Sequence, residues 1–300
     1  MDKVDAHVHV FARLSDEFPR EVSELAPADK EATAEQLLRE MDAAGIARAV
    51  LIDMGGTRIE HHKYVTHCVA RWPDRFTATG LVEVNDPDPP ARLRELVEAT
   101  GIEGLRLGDL GDPEAARAED LKTYTLFQCA AELGLNINIF TGGDQLACVE
   151  MLAAAFPQIN ISLDHLGVMP TTPYVVDRWG RPRSDDEPLP PVAYPRILAL
   201  ARCPNVYIKV SGEYAVSRVP WPYEDMKPMV EQIYRAYGPQ RMMWCTDSPW
   251  ILAEPGYQKL VDLLDGHLPS ISQEESDQIM GGTALQLWFK KRSSKARVSR

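Results

Sequence analysis

Val4-Asp5-Ala6-His7-Val8-His9 reads as a short strand that ends in a His-x-His pair. Strand side chains alternate between faces, so residues two apart point the same way. His7 and His9 are therefore expected side by side, close enough to share one ion. Seven similar segments follow: Arg48–Asp53, Phe76–Val82, Ile102–Leu107, Leu135–Phe140, Ile159–Asp164, Val206–Ser211 and Met242–Asp247. Helical patterns separate them. Thr33–Ala44 has apolar residues three and four apart and stops at Gly45; Asp88-Pro89-Pro90 opens Ala91–Thr100. Glu119–Leu133, Asp144–Phe156, Val192–Ala201, Glu224–Tyr237, Tyr257–Leu264 and Gln273–Lys290 complete the series.

Eight strand-then-helix repeats point to an α/β fold with a parallel sheet, closed as a (β/α)8 TIM barrel. A doubly wound open sheet is the alternative, but no GxGxxG or phosphate loop supports it. Residues 1–289 read as one domain, and the basic stretch 290–300 as a flexible tail. Three loops at the C-terminal ends of strands are long: Val10–Ala32, the proline-rich Val168–Pro191, and Gly212–Pro222. Such loops serve as binding loops or as solvated excursions.

The 300 residues carry 44 Asp and Glu against 32 Lys and Arg, a net charge of −12, which argues against a nucleic-acid or anionic-membrane surface. A hydrophobic fraction of 45% excludes a disordered chain. No apolar run approaches the roughly 18 residues of a membrane span, and the N-terminus lacks a signal-peptide core. Cys68, Cys129, Cys148, Cys203 and Cys245 are odd in number and scattered, as expected of reduced thiols in a cytoplasmic protein.

If the fold is a barrel, chemistry belongs where its strands end. Neutral imidazole is a common metal ligand, which makes His7 and His9 candidates for zinc or a similar ion. Leu163-Asp164-His165-Leu166-Gly167 supplies a second candidate, His165, as ligand or acid/base. Alternation places Ser162 and Asp164 on one face and His165 on the other, so only a bend would turn His165 inward. Cys245-Thr246-Asp247-Ser248-Pro249-Trp250 supplies a carboxylate, Asp247, that can bind metal, activate water or merely cap a helix.

The segments VDAHVHVF, LDHLG and RMMWCTDSPW, with NVYIKVSG and GTALQLW, resemble the amidohydrolase superfamily, in particular its amidohydrolase-2 group of metal-dependent TIM-barrel hydrolases. The similarity runs from the first residues to Phe289. It implies that His7, His9, His165 and Asp247 form the active site and metal set, with Asp247 as general base for the hydrolytic water. Many metal-binding members carry a His at the end of strand 5, where this chain has Phe140. Phe140 cannot ligate a metal. The departure fits lactonase members with a depleted metal site or none, and counts against the decarboxylases of the group. One divalent ion, zinc or manganese, and a metal-independent site are both open on this reading. His61, His62 and His67 fall in a helix after strand 2 and read as core or surface residues.

Parity adds supporting groups. Arg106 is expected inward, paired with a carboxylate such as Glu83 or binding substrate. Tyr207, Lys209 and Ser211 face in, as do Asn136, Asn138 and Phe140. Lys209 is a substrate contact or an ion-pair member. Arg178, Arg181 and Arg183 would attract an anionic substrate or lie in a solvated loop. The expected function is hydrolysis of a lactone or cyclic ester by a lactonase-like enzyme acting on a small molecule. The alternatives are a metal-dependent decarboxylase of an aromatic or muconate-type acid, and a barrel that binds without turnover. A homo-oligomer is open.

Overall fold

Eight parallel strands lie in chain order in one sheet, and a computed structural model describes them within residues 1–168, 174–184 and 188–289. They are β1 (Lys3–Val8), β2 (Ile46–Ile52), β3 (Phe76–Gly80), β4 (Gly104–Leu107), β5 (Asn136–Ile139), β6 (Ile161–Leu163), β7 (Val206–Val210) and β8 (Met242–Trp244). The seam between β8 and β1 is bridged where Val8 pairs with Ser248: the His9 amide donates to the Ser248 carbonyl at 2.7 Å, and the Asp247 amide to the His7 carbonyl at 3.0 Å. The eight strands thus make the expected TIM barrel. The expected tail, 290–300, lies outside the described residues, as do 169–173 and 185–187 of the second long loop.

The helices follow the sequence signals with shifted ends. They are α1 (Ala34–Ala44), α2 (Lys63–Arg71), α3 (Pro89–Thr100), α4 (Tyr124–Leu133), α5 (Leu146–Ala155), α6 (Tyr194–Ala199), α7 (Lys227–Tyr237) and α8 (Tyr257–His267). Thr33 caps α1 by accepting the Gln36 amide at 3.2 Å, and Asp88 caps α3 by accepting that of Ala91 at 3.1 Å. The final helical stretch, expected as one helix, contains a π-helical turn at Gln278–Gly282. A side chain at Gly281 would collide there with the Asp2 carbonyl, so the helix packs directly on the start of β1. No helix among the described residues is long and apolar enough to cross a membrane.

Two apolar layers hold the barrel. Leu105, Leu107, Ile137, Ile208 and Val210 face outward onto the helices, as alternation predicts. Val4, Ala6, Val50, Ile52, Met243 and Cys245 fill the interior and meet Trp288 from the C-terminal helix. That indole stands against the start of β4, where a Cβ on Gly104 would lie 2.7 Å from its ring. Gly104→Ala is expected to cost about 1–3 kcal/mol by overpacking, read as a lower urea midpoint at unchanged slope; an unchanged midpoint would contradict this contact.

The strands stop short of the sequence bounds at the active end. β5, β6, β7 and β8 end before Phe140, Asp164, Ser211 and Asp247. Beyond these ends the amides of Phe140, Asp164 and Asp247 still donate to the carbonyls of Leu107, Ile139 and His7 on the neighbouring strands.

Candidate active site

β1 changes face within its length. Val4 and Ala6 belong to the interior layer, yet Val8 belongs to the outer one. The register with β2 is irregular between Asp5 and Val8. One extra residue in a strand reverses the alternation beyond it. Asp5 therefore sits away from the mouth, accepting the Thr246 hydroxyl at 2.6 Å and the Tyr257 hydroxyl at 2.8 Å, while His7 and His9 reach it. The brace on Thr246 fixes the residue next to Asp247.

His165 reaches the mouth by the bend that parity demanded. Its φ is 52° and that of Leu166 is 58°, both left-handed. Such conformations cost about 1–3 kcal/mol each and gather at functional sites. The imidazole lies over Gly212, where a Cβ would come within 2.7 Å of the His165 Cβ, and its Nδ1 is 2.9 Å from the Ser211 hydroxyl. Asp247 also has a left-handed φ, 61°, and caps no helix.

These groups meet at one point. The Nε2 atoms of His7 and His9 are 3.2 Å apart. Asp247 Oδ1 is 3.2 Å from His9 Nε2 and 3.5 Å from His7 Nε2, and Oδ2 is 3.9 Å from His165 Nε2. The Tyr214 hydroxyl donates to Oδ2 at 2.6 Å. Oδ1 is buried and has no hydrogen-bond partner. Against the upward push of burial, His165, His9 and His7 hold the Asp247 carboxyl below the usual carboxylate range. Burial holds His7 and His165 down, toward the neutral imidazole.

The donor set fits a divalent ion. His9 Nδ1 donates to the Ile52 carbonyl at 2.8 Å, so its Nε2 carries the lone pair. Two nitrogens each about 2.1 Å from a tetrahedral ion stand about 3.4 Å apart, close to the spacing of the His7 and His9 Nε2 atoms. His7, His165 and Asp247 bring ligand atoms within 4.8 Å of one another, and the unpartnered Asp247 Oδ1 faces the same space.

Beneath the site lies a charged layer. Lys209 is fully buried; its Nζ is 3.0 Å from Asp164 Oδ1 and 3.2 Å from His7 Nδ1. Asp164 Oδ1 is 3.3 Å from His7 Nδ1, and its Oδ2 accepts from Arg106 Nε at 3.1 Å. The partner of Arg106 is therefore Asp164, not Glu83, because Asp164 shares the inward face. Lys209 is an ion-pair member that does not line the cavity. Phe140 takes the place of the strand-5 ligand. Its ring lies 4.2 Å below the Arg106 guanidinium and edge-on to His165, with centroids 5.7 Å apart.

A cavity of about 220 Å³ opens above, lined by His9, His165, Asp247 and Arg106 among other residues. All three long loops contribute to it: the first gives Ser23 and Leu25, the second Pro182, Arg183 and Ser184, and the third Tyr214 and Val216. Arg20 folds the first loop by donating to the carbonyls of Ala12, Ala26, Pro27 and Lys30. In the second loop, Arg181 is buried between Asp177 and Glu254 rather than solvated, and Arg183 donates to the Tyr214 and Ser217 carbonyls. Arg178 is exposed and lies over the Trp179 ring. His62 is a core residue, its Nδ1 bonded to the Arg58 carbonyl and its Nε2 to the Leu81 amide. His61 is half-buried and His67 exposed. Sequence reasoning missed Asp164 as the hub of the lower layer, although its parity with Ser162 was visible. It also missed Tyr214, which no pattern marks.

Glu213, beside Tyr214, is buried in a one-turn helix, Glu213–Val216, and burial pushes its carboxyl up to about 7 from the ordinary 4.5. Its ionisation opposes folding: the cost is absent below about pH 4.5, grows as pH rises, and is complete above about 7. The gap is worth roughly 3 kcal/mol. Glu213→Gln is expected to raise stability by about that much near pH 8 and hardly at all near pH 4.5, measured by urea unfolding at both. Equal effects at the two pH values would rule this out.

The barrel thus brings together two histidines from β1, one after β6 and a carboxylate after β8. Residues 4–290 match the family model described as amidohydrolase, and the chain belongs to that family. The L-fucono-1,5-lactonase of Burkholderia ambifaria is 22% identical over 252 residues, 82% of this chain and 80% of its own. The 4-sulfomuconolactone hydrolase of Hydrogenophaga intermedia is 23% identical, covering 82% of this chain and 74% of its own. An uncharacterized protein of Sinorhizobium fredii, y4mH, is 24% identical, and the match spans only 55% of its length. Among solved structures, a putative 2-pyrone-4,6-dicarboxylic acid hydrolase from Pseudomonas putida superposes with a TM-score of 0.70 at 20% identity, covering 95% of this chain and 97% of that one. An amidohydrolase from Burkholderia multivorans with bound zinc superposes at 0.71 and 18% identity, covering 96% and 99%.

Proposed function

We propose that the protein opens a lactone or related cyclic ester by hydrolysis. Asp247 carries this reading. One of its oxygens is anchored by Tyr214, and the other is buried, unpartnered and turned toward His7 and His9 at the floor of the cavity. A carboxylate so placed orients a water and accepts its proton as the water oxygen adds to the carbonyl carbon. The oxyanion that forms is met by the terminal N–H groups of Arg106, whose Nε is already held by Asp164. The bond from the acyl carbon to the ring oxygen then breaks. That oxygen takes the proton from Asp247, and the open-chain hydroxy acid is the product. His165, held by Ser211 on its far nitrogen, presents Nε2 beside Asp247 and stabilises the charged intermediate. A divalent ion held by His7, His9, His165 and Asp247 would, when bound, supply Lewis acidity and lower the pKa of water to about 7.

The relatives named for lactone hydrolysis support this reading, and the zinc-bound neighbour supports a metal. Phe140 at the strand-5 position counts against decarboxylation. A buried base without a partner has no use in a barrel that only binds. The test is elemental analysis of protein purified without chelator, followed by proton-release assays on a lactone panel with zinc or manganese. About one equivalent of metal and lactone turnover are expected. Carbon dioxide release from an aromatic acid, with no lactone opened, would replace hydrolysis by decarboxylation.

A further inference from the structure

We infer that the lactone this site takes has an apolar body and at most one polar substituent, unlike the sugar and acid lactones named for its relatives. The inference rests on the lactone reading above and concerns the part of the substrate that does not react. Above the catalytic floor, the cavity wall is built from Leu25, Met54, Phe140, Val168, Val216 and Trp250. Val168, Val216 and Trp250 are each at most 5% exposed and Leu25, Met54 and Phe140 are half-buried, so the wall offers a predominantly apolar surface. The cations near it are already engaged. Arg183 donates to two backbone carbonyls, and Arg106 gives its Nε to Asp164 and its face to Phe140, leaving its terminal N–H groups for the reacting carbonyl. One neutral polar group of the wall is both buried and unpartnered among the described residues: the Ser184 hydroxyl, on a side chain 2% exposed.

A sugar lactone brings several hydroxyls into this space. Each must trade water for a protein partner or enter unpaired, and a buried unpaired hydroxyl is strongly disfavoured. Ser184 satisfies one. An apolar pocket rejects an added hydroxyl by about 10²-fold. A lactone with an alkyl or aryl body meets no such cost, and its own apolar surface leaves water against this wall.

The experiment compares dihydrocoumarin and δ-hexalactone with glucono-1,5-lactone by proton release, each kcat/KM divided by the uncatalysed rate constant to remove intrinsic reactivity. The expected result is a preference for the two apolar lactones of about 10²-fold or more over the sugar lactone. Met54→Gln, which adds a hydrogen-bonding group to the wall, should narrow that ratio about tenfold, chiefly through KM. A sugar lactone processed as well as the apolar ones overturns this inference and leaves the lactonase reading standing. Failure to open any of the three overturns the lactonase reading, and this inference falls with it.

Discussion

Asp247→Asn is expected to lower kcat about 10³-fold, with KM changed only a few-fold and the melting temperature within about 4 °C of the parent. The amide keeps the shape and the Tyr214 contact but cannot take a proton from water. The fold is not at stake, because the Asp247 backbone, not its side chain, closes the β8–β1 seam. Metal content measured on the same sample separates two roles: a variant that keeps its metal but not its rate has lost the base, and one that loses both has also lost a ligand. Turnover above a tenth of the parent would remove Asp247 from the chemistry.

Asp164→Ala is expected to be the most damaging single change to stability, by about 3–5 kcal/mol. It would leave Lys209, fully buried, without its carboxylate 3.0 Å away. Against the push of burial, Lys209, His7 and Arg106 hold the Asp164 carboxyl well below the usual range. The stabilisation this represents is present above the ordinary carboxylate pKa and is lost as pH falls through the depressed folded value. The double variant Asp164→Ala/Lys209→Met removes both charges and should recover a good part of the loss. The cycle is read by urea denaturation, with an expected coupling of about 2 kcal/mol or more. Activity falls in the single variant because His7 Nδ1 loses the group that orients it. A loss below about 1 kcal/mol would mean that Lys209 finds water or another partner.

The class of fold was legible because the hydrophobic pattern and the helix caps are local. Eight apolar segments, with Gly45 as a stop signal and Asp88 as a start signal, need no knowledge of what lies across the barrel. The four candidate residues could be nominated for a related reason: strand ends in a parallel barrel converge, so a titratable residue at each is a candidate before any distance is known. The outward faces of β4 and β7 also follow from alternation alone.

Alternation failed at two places, and both matter to the site. In β1 it would put Ala6 and Val8 on one face, but the irregularity between Asp5 and Val8 reverses it and sends Asp5 to Tyr257 while His7 turns to the mouth. After β6 it would turn His165 away, but two left-handed residues bring it back. A bulge or a left-handed bend is set by what the neighbouring strand and loop leave room for, such as the bare Gly212 beneath His165.

The sequence by itself therefore determined the barrel, its strand order and the residue types that gather at its mouth, because local periodicity and strand ends encode them. Only the tertiary structure decided that Asp164 rather than Glu83 holds Arg106, that Tyr214 anchors Asp247, and that the cavity wall is apolar. Those facts depend on side chains from strands and loops far apart in the chain, and a charge or a bare wall is assigned its partner only when burial forces the choice.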